Sequence, residues 1–302
     1  KEVTLQDPQN RRAFKALDRL YDEQEHWQDL ADNLTRQLQL AETPRDQVDV
    51  HMRLAQLRQH RLLEVAAAVD TYRQVLEIQP EHQGAVSALE GLLGDEEHEL
   101  AIAQTLDPIY QASGEAPKQV RVFEIMAKHA FDPSRKIELL QRIGELHEIS
   151  SQDADAAFSA YARALREDPA SEETLNRLQR ITRVSQKWKD LVALFDGVAR
   201  DAADADLKVS LLTRLAQVYE LELQNDAKAV ETYGRILDLD ASHLAAASAI
   251  QSVHERNGDY PQLVSALKRK AHATVDVSEK KTLLFRAAQI QEEVLEDLDA
   301  AI

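Results

Sequence analysis

The sequence contains no cysteine, so disulfide cross-links and thiolate-ligated zinc are excluded. Glycine and proline are scarce, at 8 each in 302 residues, and aromatic residues make up 5%. Few helix breakers are therefore available. No apolar run approaches the ~18 residues that would suggest a membrane span. Positive charge is in deficit: 36 Lys and Arg stand against 53 Asp and Glu, a formal net charge of −17. Binding to nucleic acid rests on neutralising phosphates with Lys and Arg, so this balance argues against it. It argues equally against an anionic membrane surface and favours a basic or neutral partner. The residues from Lys1 onward show no signal-peptide pattern. The compartment stays open, with the cytoplasm as the default.

What is abundant is helix-forming. Ala, Leu, Gln, Glu and Arg dominate, and 44% of residues are hydrophobic. Charged residues reach 29%, as expected for helices with one wet face. One compact core would be at its upper size limit here, so several domains or a repeat array are the priors.

A repeat is present. Ala68-x3-Tyr72-x2-Val75-x4-Pro80 returns as Ala157-x3-Tyr161-x2-Ala164-x4-Pro169 and as Ala229-x3-Tyr233-x2-Ile236-x4-Ala241, in steps of 89 and 72 residues. Upstream of each lies a second motif. It begins at Arg53-Leu54-Ala55-Gln56-Leu57 and recurs at Arg142, Arg214 and Arg286, in steps of 89, 72 and 72. A third anchor is Trp27, Trp188 and Tyr260, each followed three residues later by leucine, with Ala116 in the remaining place. Each 72-residue unit divides into four helical segments; in the third unit they fall near 190–202, 206–223, 226–239 and 242–256. Apolar residues recur at i, i+3, i+4 and i+7 within them, as in Leu211, Leu212, Leu215, Val218 and Tyr219. Asp153, Asn225, Gly114, Gly258, Pro80 and Pro169 mark the turns. One unit is thus two helix hairpins averaging 36 residues.

These motifs resemble the tetratricopeptide repeat. The Ala229 segment is similar to its second helix, and Leu212-x2-Leu215-Ala216-x2-Tyr219 to its first, whose pattern is W-x2-L-G-x2-Y. The second unit keeps the glycine, as Gly144. The turn is one residue longer than in the standard 34-residue repeat. The match is good in every second hairpin and degenerate in the alternate ones, such as Ala249 to Leu263, an alternation seen as bacterial-type. The resemblance implies an all-α, right-handed superhelical solenoid of antiparallel helix hairpins. Small residues at Ala216 and Gly144 are expected where the two helices of a hairpin cross closely.

The spacings predict one solenoid over 1–302, with units at about 9–80, 81–169, 170–241 and an incomplete 242–302. Val3-Thr4-Leu5-Gln6-Asp7-Pro8 reads as the tail of an earlier second helix, and Asp297-Leu298-Asp299-Ala300-Ala301-Ile302 as the start of a later one. The chain is expected to belong to a longer array, because no polar capping helix is visible. The 89-residue step implies an extra helix. Leu89 and Leu92 lie 72 residues after Leu17 and Leu20, while Leu106 and Ile109 lie 89 after them. One helix occurs twice, at 81–93 and near 96–113, either as a neutral insertion or as a docking feature.

Chemistry is sparse. No Gly-rich phosphate loop, G-x-S-x-G elbow or H-E-x-x-H helix occurs, and the ten His are scattered. No catalytic, cofactor or metal residues are assigned, and an enzyme is not expected. Trp27, Trp188 and Tyr260 are expected to pack hairpins. Lys268-Arg269-Lys270 and Lys280-Lys281 form one basic spot, read as a solvated face or a contact for an acidic partner.

The recurring arginines are the candidates for partner binding: Arg53, Arg142, Arg214 and Arg286, with Gln56, Glu145, Gln217 and Gln289 three residues on. Two roles compete, an ion pair to a neighbouring helix and a contact in the groove that first helices line. Repeat domains that clamp chaperone C-termini place Lys before that arginine position and Asn after it. Here the places hold Met52, Gln141, Thr213 and Phe285, then the Gln and Glu residues just named, so such a clamp is not expected. The leading expectation is a scaffold or adaptor that binds a peptide or helical protein partner along a concave groove, without nucleic acid or membrane insertion, its oligomeric state open. The alternatives are an RNA-processing type of repeat scaffold, which Tyr161-Ala162-Arg163-Ala164-Leu165-x3-Pro169 also resembles, and a regulatory arm of an enzyme whose catalytic domain lies elsewhere.

Overall fold

The computed structural model describes residues 10–297, which contain sixteen α-helices and no strand. Val3–Pro8 and all but the first residue of Asp297–Ile302, read above as pieces of flanking helices, lie outside the described residues. The chain divides into two compact units at Gln152 and Asp153.

The first unit holds α1 (Arg11–Glu23), α2 (Trp27–Gln39), α3 (Pro44–Leu57), α4 (Val65–Ile78), α5 (Gln83–Leu92), α6 (Glu99–Ser113), α7 (Ala116–Lys128) and α8 (Pro133–Leu146). The second holds α9 (Ala154–Glu167), α10 (Glu172–Ser185), α11 (Trp188–Asp201), α12 (Ala205–Gln217), α13 (Asp226–Leu239), α14 (Leu244–Asn257), α15 (Tyr260–Ala273) and α16 (Val277–Glu293). Within each unit consecutive helices pack on one another.

The turn residues do what their chemistry allows. Asp153 accepts from the Asp155 and Ala156 amides at 3.1 and 2.9 Å, and Asn225 from Lys228 at 3.1 Å, so both cap helix N-termini. Thr43 and Asp132 cap α3 and α8 in the same way, each followed by a proline at the first helical position. Gly114 and Gly258 end α6 and α14 at φ +70° and +66°, the left-handed region that glycine enters without steric cost.

The additional residue of each well-matched hairpin is not in the turn itself. Three first helices end in a π turn: Arg58–Leu62 after α3, His147–Ser151 after α8 and Val218–Glu222 after α12. The wider i→i+5 winding takes up the surplus residue. Just beyond them, Leu63, Gln152 and Gln224 are left-handed, at φ +56°, +51° and +49°.

The core runs along each unit. In the second it joins Tyr161, Leu175, Leu191, Phe195, Leu215, Tyr233, Ile236 and Ile250, contributed by six successive helices. In the first, Tyr21, Leu30 and Leu34 of the opening hairpin meet Leu54 and Leu57 of α3. Within each unit, each helix therefore shares its apolar stripe with the next. The repeated tyrosines are buried, and their hydroxyls find partners on the first helix: Tyr72 donates to Gln59 at 2.7 Å and Tyr233 to Glu220 at 3.2 Å. Burial pushes both phenols up to about 12.

Helix α5 breaks the pairing of a first helix with a second. It is ten residues long and is followed directly by α6. A polar tie fastens it. Glu90 accepts from Tyr110 Oη of α6 at 2.8 Å and faces Lys118 Nζ of α7 at 3.0 Å. Burial alone would push the Glu90 carboxyl up, but the bonds from Lys118 and Tyr110 outweigh it and hold the group below its ordinary value.

Two predictions follow from this packing. Ala55 and Ala216 have no exposed surface at the hairpin crossings, so enlarging either to Leu costs about 1–3 kcal/mol in urea unfolding. Exposed Gln56→Leu stays within about 0.5 kcal/mol. Because the folded pKa of Glu90 is depressed, its stabilisation is complete above the ordinary carboxylate value and is lost as pH falls through the lower folded one. Glu90→Gln should therefore lower the melting temperature at neutral pH, with the gap to the parent closing in acid.

Candidate protein-binding face

The four repeated arginines stand on α3, α8, α12 and α16, all first helices. Their neighbours explain the position. Leu54, Ala55 and Leu57 turn into the core, which leaves Arg53 and Gln56 on the outer side of the same turns. The same holds for Leu215 and Ala216 beside Arg214, and for Ala287 beside Arg286.

Three of the four guanidinium groups reach a carboxylate on the preceding first helix. Arg53 bonds Asp18 of α1 at 2.8 Å, Arg214 bonds Glu172 of α10 at 2.5 Å, and Arg286 pairs with Glu255 of α14. Arg142 instead bonds Glu145 on its own helix at 2.9 Å. The acceptors occupy different heights: mid-helix in α1, the first turn of α10 and the last turn of α14. The arginine repeats, and its ion pair does not. Arg214 is the most covered, at 20% exposed, whereas the other three keep about half of their side-chain surface. Gln56, Gln217 and Gln289 are exposed, and Gln289 donates to Glu293 at 3.2 Å.

Asp18 is the residue that sequence reasoning missed. Its side chain is 8% exposed, between buried Phe14 and Tyr21 at helical spacing. It accepts from Asn33 at 2.7 Å, Gln37 at 2.8 Å and Arg53 at 2.8 Å, so one carboxylate ties α1, α2 and α3 together. An acid on an otherwise apolar face at i, i+4 and i+7 was the available signal. Beside it lies a groove of about 810 Å³, bordered by Lys15, Arg53, Gln56, Trp27 and Arg61.

The aromatic anchors differ from one another. Trp188 is buried in the core. Trp27 packs at the edge of its cluster, with the Arg61 guanidinium 4.8 Å above its ring. Tyr260 is 42% exposed, so a shared packing role does not extend to it. In the basic spot, Lys270 donates to Gln251 at 3.1 Å and Arg269 lies 3.9 Å from Asp238. Among the described residues no group of three or more His, Cys, Asp or Glu could hold a metal ion. No described helix is long and apolar enough to cross a membrane.

An all-α array of stacked hairpins, with polar side chains recurring along its first helices, is the form of a helical-repeat binding scaffold. The tetratricopeptide repeat family model matches residues 13–48, which cover α1, α2 and the start of α3. The repeated spacings of the remaining helices are similar to those of this repeat. The matched segment contains Trp27 and Leu30, and so belongs to the alternate hairpins that sequence reading took as degenerate. That reading was mistaken for the first of them. The spacing Phe14, Tyr21, Trp27, Leu30, Ala31 and Leu34 keeps the repeat's packing positions, and all but Trp27 are fully buried.

Solved structures similar to this chain include the tetratricopeptide repeat domain of P58(IPK), at 12% identity over 97% of this chain and 91% of that one, TM-score 0.26. The C-terminal part of a tetratricopeptide repeat-containing protein from Cytophaga hutchinsonii is 12% identical over 76% and 91%, TM-score 0.36. Yeast Tom70 is 13% identical over 90% of this chain and 61% of that one, TM-score 0.34. No curated protein matches the sequence.

Removing the Asp18 carboxylate leaves buried Asn33 short of an acceptor, so Asp18→Ala should cost roughly 2–3 kcal/mol in urea unfolding. Arg53→Ala should cost less, about 1 kcal/mol, because its guanidinium is half exposed and the buried Asp18 keeps its Asn33 and Gln37 donors.

Proposed function

We infer that this array is a protein–protein interaction scaffold. We propose that it binds a peptide or helical segment of a partner protein along the groove lined by its first helices. Arg53, Arg142, Arg214 and Arg286 would supply the recurring contacts, with Gln56, Glu145, Gln217 and Gln289 beside them. The observation that carries the proposal is the mismatch between arginine and acceptor. A purely structural ion pair would repeat both partners at one register. Here Arg53, Arg214 and Arg286 reach acceptors at three different heights, and Arg142 takes one on its own helix. Three of them retain about half of their surface, enough for a guanidinium to exchange its present carboxylate for one on a ligand. Within each unit, stacked hairpins leave a face of first helices open, which suits an extended or helical partner better than a small molecule.

The test is capture of partners from native extract by the parent chain and by a variant with all four arginines changed to Ala. The variant should keep its helical circular dichroism with a modest drop in melting temperature, since Arg53, Arg142 and Arg286 are about half exposed and Asp18 keeps its Asn33 and Gln37 donors. A partner held by the parent and lost by the variant supports the proposal. Equal capture assigns the arginines to packing alone.

A further inference from the structure

Helix α5 behaves as a first helix without a second. Leu89 stands where Leu17 stands in α1, and Leu106 of the next helix holds that place again. In a regular hairpin the second helix lies between its own first helix and the following one, as α11 does between α10 and α12. After α5 a six-residue turn, 93–98, leads to α6 with no helix between them.

The result is a cleft of about 1,200 Å³ bounded by α4, α5 and α6 and closed at one end by the start of α7. These are the surfaces that a second helix belonging to α5 would touch. The lining permits close approach. Val69, Leu76 and Val86 form its buried apolar part, and Ala101, Pro108 and Ala112 of α6 present small or rigid exposed surfaces.

Charge selects the occupant. Asp70, Glu77, Glu81, Glu90 and Glu115 line the cleft against two cations, Arg73 and Lys118. Both cations are engaged by these same acids. Arg73 lies 3.1 Å from Asp70 and 3.8 Å from Glu77, while Lys118 lies 3.0 Å from Glu90 and 2.7 Å from Glu115. Five carboxylates share two positive charges, in a protein of net charge −17.

We propose that this cleft docks an amphipathic α-helix of a partner protein, apolar on one face and carrying Lys or Arg along its edges, in the place of the missing second helix. The proposal rests on the chain being a protein-binding array and not on the arginine face.

The probe is a fluorescein-labelled peptide of about 18 residues, with Leu and Ala on one face and Lys on both edges, read by anisotropy against the full chain. Its controls are a scrambled peptide of equal composition and one with Glu for Lys. The parent should bind the amphipathic peptide at least roughly tenfold more tightly than either control. Ala101→Trp with Ala112→Trp fills the cleft from α6 and should remove that preference. Glu77→Lys with Glu81→Lys should weaken binding without affecting folding. Should the α6 pair fail to fold, exposed Ser87→Trp on α5 blocks the cleft from its floor. The four-arginine variant should bind as the parent does, which separates this cleft from the first-helix groove. Equal binding of the scrambled peptide, undiminished binding by the filled variants, or loss of binding with the arginines would each overturn the proposal. Dimerisation of the parent in competition with the peptide would assign the cleft to a second copy and overturn it as well.

Discussion

A helix of this chain cannot bury its apolar stripe alone. Each is ten to seventeen residues long, with one stripe of Leu, Ile, Val, Ala or Tyr and an otherwise polar circumference. In water such a helix is marginal in isolation, because nucleation is costly and its stripe stays wet. Stacking on both neighbours removes the stripe from water, as with Leu191 and Phe195 of α11, which share a cluster with residues of α10 and α12. At about 25 cal/mol per Å² of apolar surface, this burial dominates the favourable side of folding. Stability then depends mainly on nearest-neighbour interfaces. Small side chains at the crossings, caps at the turns and π turns at three helix ends adjust the spacing so that successive stripes meet.

That dependence accounts for the polar interactions that matter. Surface ion pairs are abundant, yet exposed ones contribute little. Asp18 and Glu90 differ because each joins three helices rather than two residues. Asp18 gathers donors from α2 and α3 onto α1, and Glu90 gathers them from α6 and α7 onto α5. A buried carboxylate with several donors fixes relative helix position in a way that a slippery apolar contact does not.

Much of this was legible in the sequence, and the reason is periodicity. Leu211, Leu212, Leu215 and Val218 mark one face of a helix whatever surrounds them, and Asn225 or Gly258 marks an end through local chemistry alone. The four arginines were legible as a repeated position. Their acceptors were not, since Glu172 and Glu255 are set by how far one helix slides along the next. Asp18 was visible only as an acid among apolar residues, a pattern that gives burial but not partners. The π turns were misplaced into the connecting turn because an extra residue shows in spacing and not in where the backbone absorbs it. The first hairpin was undervalued for a related reason. Asp18 interrupts its apolar stripe, although Phe14, Tyr21, Leu30, Ala31 and Leu34 are buried.

The same nearest-neighbour logic makes an irregular step more consequential than a substitution. Replacing one side chain alters one interface by a few kcal/mol at most. Adding one helix without its partner alters the alternation itself, so a surface built to be covered by a second helix is left facing solvent. Small side chains and acidic edges keep the cleft above α5 from being a large bare apolar patch, which a soluble protein rarely tolerates. Those features fit a surface that can remain exposed and still take up a helix of opposite edge charge. A regular solenoid offers similar ground at every repeat and must rely on individual side chains for selectivity. An odd helix creates one position unlike all others, and specificity then follows from where the pattern breaks.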